Sequence, residues 1–321
     1  MPLGRMVEKE HYQLSELLQR LEQRIIGQSH ALSTIATQIR ISRADLNDPL
    51  KPTGVYMLAG SSGLGKTETA LVLADLLYGG VQSLVTINMS EYQEAHSVSG
   101  LKGSPPGYVG YGQGGVLTEA VKRNPYSVVL LDEMEKAHPD VMELFYQIFD
   151  KGMVEDAEGQ QVNFRNTLII MTSNLASAKI TQACAAGETS QKALCELIRP
   201  EFEHVFRPAL MGRISLIPYL PLDTKTLTKI IRLKLNNICQ RYHAASHNEM
   251  ELSYSESVVT WVAQRCRVNQ SGARDIDQVL SKYILPLLAD NLLMDEKIAR
   301  DDLKIGVTKD KLVTWKTHDK R

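Results

Sequence analysis

The run GSSGLGKT at residues 60 to 67 limits this chain more than any other stretch, because such a loop works only between a strand and a helix. Both are legible: Val55 to Ala59 is apolar, and Glu68 to Leu77 is rich in helix formers. Glycines let backbone N–H groups turn inward on phosphate oxygens, a lysine adds a compact charge, and a hydroxyl can ligate Mg²⁺. Gly60, Ser61, Ser62, Gly63, Leu64, Gly65, Lys66, Thr67 and Glu68 are therefore predicted to line a nucleoside triphosphate site. In it Lys66 faces the β- and γ-phosphates and Thr67 the metal.

With 321 residues and 43% hydrophobic content, the chain is large enough to bury roughly two cores. Lys plus Arg (36) nearly balance Asp plus Glu (37), and no dense basic block occurs, so a nucleic-acid partner is not expected. No apolar run approaches the length of a bilayer-spanning helix, and MPLGRMVEKE lacks an apolar export segment, so the expectation is a cytoplasmic protein with no membrane partner. Cys184, Cys195, Cys239 and Cys266 have no CxxC spacing, which fits reduced thiols. Cys239, His243 and His247 recur every four residues, but no carboxylate or second cluster joins them. They read as a polar helix end with a half-buried thiol, and no metal is assigned there.

Leu14, Leu17, Leu18, Leu21 and Ile25 fall at helical intervals and predict an amphipathic linker helix within residues 1–24, closed by RIIGQ. A second helix is expected over 29–44. β-rich runs at 54–59, 84–88, 127–131, 167–172 and 214–218 then alternate with helical stretches, which predicts an α/β fold with a five-stranded parallel sheet flanked by helices. That large nucleotide-binding domain is placed at 25–222. From 223 to 321 a smaller mixed α/β domain is expected, with helices over 223–243, 255–266 and 271–294 and alternating runs near 303–307 and 312–316. The polar stretch Ala176 to Ala193 reads as a mobile connection.

VVLLDE describes a buried strand that carries Asp132 and Glu133 to its carboxyl end, the edge where ligands bind in such sheets. Asp132 is suited to hold Mg²⁺ through the metal's hydration shell, and Glu133 to deprotonate a water for attack on the γ-phosphorus. The bland alternative is two acids capping the next helix. TLIIMTSN delivers Asn174 to the same edge, either to position the attacking water or as an ordinary turn residue. Arg213, in FRPALMGR, and Arg274, in SGAR, are each suited to stabilise γ-phosphate charge or to form a surface ion pair.

RIIGQ, the phosphate loop, VVLLDE, TLIIMTSN, FRPALMGR and SGAR stand in the order seen in AAA+ ATPases, and the chain resembles that superfamily from about residue 8 to the end. The run MSEYQEAHSVSGLKGSPPGYVGYGQGGVLTEAVKRNPYSVVLLDEMEKAHPDV is similar to the second ATPase module of the Clp unfoldases and disaggregases. Within that group, TETALVLADLLYGG, INMSEYQEAH and ELFYQIFDKG look closest to the ClpV family, which recycles contracted type VI secretion sheaths. The resemblance implies a homo-oligomeric ring, usually a hexamer, with ATP and Mg²⁺ between subunits and a pore that pulls polypeptide. It matches Ile26 and Gly27 to the adenine contact, and Lys66, Thr67, Asp132 and Glu133 to the catalytic core. It matches Asn174 to the first sensor, Arg213 to the finger on the neighbour's ATP and Arg274 to the second sensor.

Two prolines and six glycines within residues 102 to 115 favour an exposed loop around Tyr108 and Val109. In similar unfoldases these two positions grip substrate in the pore; alternatively Tyr108 packs on its own subunit. EDAEG, Glu155 to Gly159, is a candidate second pore loop. ASAKITQACAAGETSQKA lacks the peptidase-docking tripeptide, so no partner peptidase is expected. By the same resemblance the chain looks like an excised half that begins just before the linker helix. Three alternatives stand beside a sheath-directed motor: a general disaggregase module, a nucleotide-gated oligomerisation module with little turnover, and a small-molecule kinase. The last gives no reason for the DE pair or the glycine-flanked tyrosine.

Overall fold

The computed structural model describes residues 14–104, 107, 114–246, 250–266, 272–293 and 302–317. Internal contacts divide the chain into two compact units, residues 1–61 with 65–220 and residues 62–64 with 221–321. The strands of the first are β1 (Gly54–Ala59), β2 (Leu84–Asn88), β3 (Val128–Asp132), β4 (Met153–Glu155), β5 (Gln161–Asn163), β6 (Leu168–Ser173) and β7 (Ser215–Pro218). Five of them form a wholly parallel sheet in the order β2-β3-β6-β1-β7. The five β-rich runs read from the sequence are these strands. Val128 to Leu131 and all six residues of β6 are buried, as expected of strands covered on both faces.

Register decides what meets at the carboxyl edge. Ala59 lies opposite Ser173, and Leu131 opposite Met171, so β1 and β6 end level with each other and β3 ends one residue short of them. Helices close over the sheet by their apolar stripes. The helix Pro139–Lys151 is set by local chemistry: His138 Nδ1 accepts the Asp140 N–H at 3.2 Å, Pro139 opens the first turn, and Gly152 (φ 60°) stops it. It buries Val141, Leu144, Phe145, Ile148 and Phe149 against the sheet, and each buried aromatic contributes about 1.5–3 kcal/mol by area.

One feature of this unit departs from expectation. The polar stretch after Asn174 is ordered helix, Ser177–Ala185, because Ile180 is buried in the core and anchors it; a longer helix, Gln191–Val205, follows. The segment Glu155 to Gly159 closes a two-stranded antiparallel hairpin, β4 with β5. A helix also spans Val116–Arg123, burying Leu117, Thr118 and Val121.

The second unit opens with the helix Thr224–Ala245, capped by Asp223, whose carboxylate accepts the Thr226 N–H at 2.7 Å. Its sheet has the order β10-β9-β8: β8 (Leu252–Tyr254) runs parallel to β9 (Asp302–Thr308), and β10 (Lys311–Thr317) antiparallel. The single helix expected over 271–294 is interrupted, with helices at Arg274–Val279 and Leu285–Leu293 separated by a π-helical turn, Leu280–Ile284. Pro286 explains the wider turn, since it has no N–H for an i−4 carbonyl and its ring pushes that carbonyl aside. Among the described residues no helix is long and apolar enough to cross a membrane.

Candidate functional site

Beyond β1 the chain turns through the glycine loop and enters the helix Lys66–Tyr78. Gly63 (φ 78°) and Gly65 (φ 96°) occupy the left-handed region that favours glycine. A side chain at Gly65 would meet nothing closer than Ile25 at 3.6 Å, so backbone conformation rather than crowding requires glycine there. The first N–H groups of this 13-residue helix face the loop, an arrangement that attracts anions. Behind it, Thr69 Oγ1 donates to Gly65 O at 2.8 Å and lies 2.8 Å from the hydroxyl of fully buried Tyr219.

Lys66 is only 7% exposed. Its Nζ donates to the carbonyls of Gly60 and Ser61 and, at 3.0 Å, to Oδ1 of Asn174, which follows β6. On the next strand, Asp132 Oδ1 accepts the Thr172 hydroxyl, whose oxygen in turn accepts the Glu133 N–H at 3.1 Å. Glu133 is left-handed (φ 57°), a conformation that costs about 1–3 kcal/mol away from glycine and that collects at functional sites. Asn174 N–H donates to Glu135 Oε1 at 3.1 Å. Three adjacent strands thus bring Lys66, Asn174, Asp132 and Glu133 to one edge. Thr67 and Asp132 supply hard oxygen donors, which fit Mg²⁺ bound mainly through water and phosphate.

Ile26 and Gly27 lie on the turn after the helix Leu17–Arg24, and this segment is tied to the phosphate-loop helix by an Arg24–Asp75 ion pair at 2.5 Å. Arg213 is placed elsewhere. Ser215 lies opposite Tyr56, so Arg213 is level with the start of β1, about 20 Å along the strand from the phosphate loop at 3.3 Å per residue. There its guanidinium forks onto both oxygens of Asp150, with one contact at 2.7 Å, and holds that carboxyl below the usual carboxylate range. Arg274 opens its helix in the second unit and is exposed. Tyr108, Val109 and His247 lie outside the described residues. His243 Nδ1 is 3.0 Å from Met250 O.

Sequence reading missed Thr172, Glu135 and Asp150. One signal was present for Thr172: a hydroxyl within a fully buried strand must find a partner.

A family profile described as "AAA domain (Cdc48 subfamily)" matches residues 51–217, a little over half of the chain. The chain belongs to the AAA+ ATPases. A second profile, described as "C-terminal, D2-small domain, of ClpB protein", matches residues 222–305, which makes this AAA+ chain a carboxyl-terminal ATPase module of the Clp group. Similar curated proteins include "Chaperone protein ClpB" of Yersinia enterocolitica, 51% identical over 91% of this chain and 33% of its own length. "AAA+ ATPase ClpV1" of Pseudomonas aeruginosa is 52% identical over 89% of this chain and 32% of its own. "Chaperone protein ClpB" of Porphyromonas gingivalis is 43% identical over 92% and 34%. The AAA+ chain spans about a third of the length of these relatives.

Proposed function

We propose that this module hydrolyses ATP within a ring of identical subunits and uses the energy to pull polypeptide through the ring. The observation that carries the reading is the meeting of Lys66, Asn174, Asp132 and Glu133 at one sheet edge, with Lys66 Nζ 3.0 Å from Asn174 Oδ1. Loop N–H groups and Lys66 hold the β- and γ-phosphates, which offer the ammonium charged acceptors in place of neutral carbonyls. Thr67 and Asp132 hold Mg²⁺, which when bound neutralises phosphate charge. Glu133 takes the proton of the attacking water, which Asn174 orients. Ile26 and Gly27 contact the adenine, and Arg274 acts as a second sensor. Arg213 serves the neighbouring subunit, a role supported by its distance from its own phosphate loop.

The substrate is polypeptide gripped by Tyr108 and Val109, and similarity to ClpV1 supports sheath proteins of type VI secretion as that polypeptide. Nearly the same similarity to ClpB, 51% against 52% identity, supports a second reading, a general disaggregase. The large domain is taken as 25–222 and the small as 223–321. Glu133→Gln is expected to abolish turnover, by about 10²-fold or more, and to leave ATP affinity intact. In the full-length protein Tyr108→Ala is expected to spare hydrolysis and impair threading. Unchanged turnover in the first variant would remove Glu133 from its role, and unimpaired threading in the second would remove the grip.

A further inference from the structure

Glu135 is the third acid of the run DEME, and the chemistry above makes no use of it. It sits on the one-turn helix Met134–Lys136 just beyond β3, behind the left-handed Glu133. Its Oε1 reaches across to the end of the neighbouring strand and accepts the Asn174 N–H at 3.1 Å. Its Oε2 is buried without a hydrogen-bond partner among the described residues. Holding a carboxylate oxygen so is costly, and a cost of this kind persists where the other oxygen of the same group makes a contact that the site needs.

What it holds is the point where β6 stops pairing. Ser173 is the last residue of the ladder: its carbonyl accepts the Gly60 N–H at 3.2 Å, and its hydroxyl accepts the Leu175 N–H at 3.1 Å. The N–H of Asn174, between them, is satisfied by Glu135. The side chain of the same Asn174 accepts the Lys66 ammonium, so Glu135, Asn174 and Lys66 form a chain of contacts from β3 across β6 to the loop after β1. Thr172, two residues earlier, serves Asp132 and Glu133 and leaves Asn174 alone.

We infer that Glu135 is a positioning residue for hydrolysis, fixing the backbone of Asn174 so that its amide stays in place when its partner changes from the Lys66 ammonium to the attacking water. The inference rests on the role proposed for Asn174. A displacement of about 1 Å at such a group costs on the order of 10²-fold in rate without affecting phosphate binding, which belongs to the loop.

The test uses Glu135→Ala and Glu135→Gln in the whole chain, with two readouts. One is hydrogen exchange of the Asn174 amide by NMR; the other is ATP turnover split into kcat and KM, alongside nucleotide affinity. In Glu135→Ala the Asn174 N–H is expected to exchange at least about tenfold faster. Its kcat is expected to fall about 10- to 100-fold while nucleotide affinity stays within about threefold. Glu135→Gln, whose carbonyl still accepts the N–H, is expected to recover both. Unchanged Asn174 protection in the alanine variant would overturn the inference, as would a glutamine variant that keeps the protection yet loses turnover. An Asn174→Ala chain with undiminished turnover would instead sink the role given to Asn174, and the exchange result would then still decide whether Glu135 holds it.

Discussion

At the scale of single residues, a buried amide must be satisfied at both ends, and Gln28 is. Fully buried, it donates Nε2 to the Leu220 carbonyl at 2.9 Å and accepts the Leu220 N–H on Oε1 at 3.0 Å, pinning the last residue of the large unit to the turn that carries Ile26 and Gly27. Gln28→Ala removes the partner of both peptide groups of half-buried Leu220 and is expected to cost about 1–3 kcal/mol, read as a lowered midpoint in urea with an unchanged slope. A loss under about 0.5 kcal/mol would mean that water or a rearranged neighbour replaces the amide. The candidate residues legible in the sequence were those whose chemistry is local: Lys66 and Thr67 belong to one loop, Asp132 ends its own strand and Glu133 follows it. Thr172, Glu135 and Asp150 act on partners 40, 39 and 63 residues away, and nothing in their immediate neighbourhood announces those pairings.

At the scale of elements, the hairpin of β4 and β5 is bolted to the helix Val116–Arg123 by one ion pair. Asp156, its side chain 6% exposed, takes the Lys122 ammonium on Oδ2 and the N–H groups of Glu158 and Gln160 on Oδ1 at 2.9 and 2.8 Å. Ala157 N–H also reaches the Lys102 carbonyl at 3.1 Å. Burial pushes the Asp156 carboxyl up, but Lys122 and the two N–H donors outweigh it and leave the group below its usual range. A carboxyl depressed by folding contributes stability that is complete above its unfolded value and is lost as pH falls through the folded one. Local opening of the hairpin, followed by hydrogen exchange at Gln160, is therefore expected to rise below about pH 4. Asp156→Asn should open about tenfold more at pH 7 and lose that acid dependence. A wild-type hairpin with flat protection down to pH 3 would contradict the pairing. The sequence betrayed the five large strands because each is a β-rich run set between helical stretches. β4, β5 and β8 are three residues each, too short for any period to register, and they appear only once their partners are in place.

For the molecule as a whole, the decisive geometry is that Arg213 and Lys66 sit at opposite edges of one parallel sheet. Arg213 precedes β7 at the amino edge, while the phosphate loop follows β1 at the carboxyl edge, and an arginine side chain cannot span the roughly 20 Å between those levels. Its bidentate hold on Asp150 keeps the guanidinium on the side of the molecule away from its own loop. If hydrolysis needs that charge, a second copy must present it, and turnover should climb steeply with protein concentration, as it does when a site is completed by head-to-tail neighbours. Arg213→Ala is expected to lower turnover by about 10³-fold while its own loop still binds nucleotide. Complementation distinguishes a shared site from simple destabilisation. An Arg213→Ala chain keeps a sound Glu133, and a Glu133→Gln chain keeps a sound Arg213, so each is inactive alone. Mixed in equal amounts they should recover activity, because about a quarter of the sites pair a sound base with a sound finger. A mixture as inactive as its components, with ring assembly verified by sedimentation, would put both groups to work within one subunit and exclude a finger supplied by the neighbour.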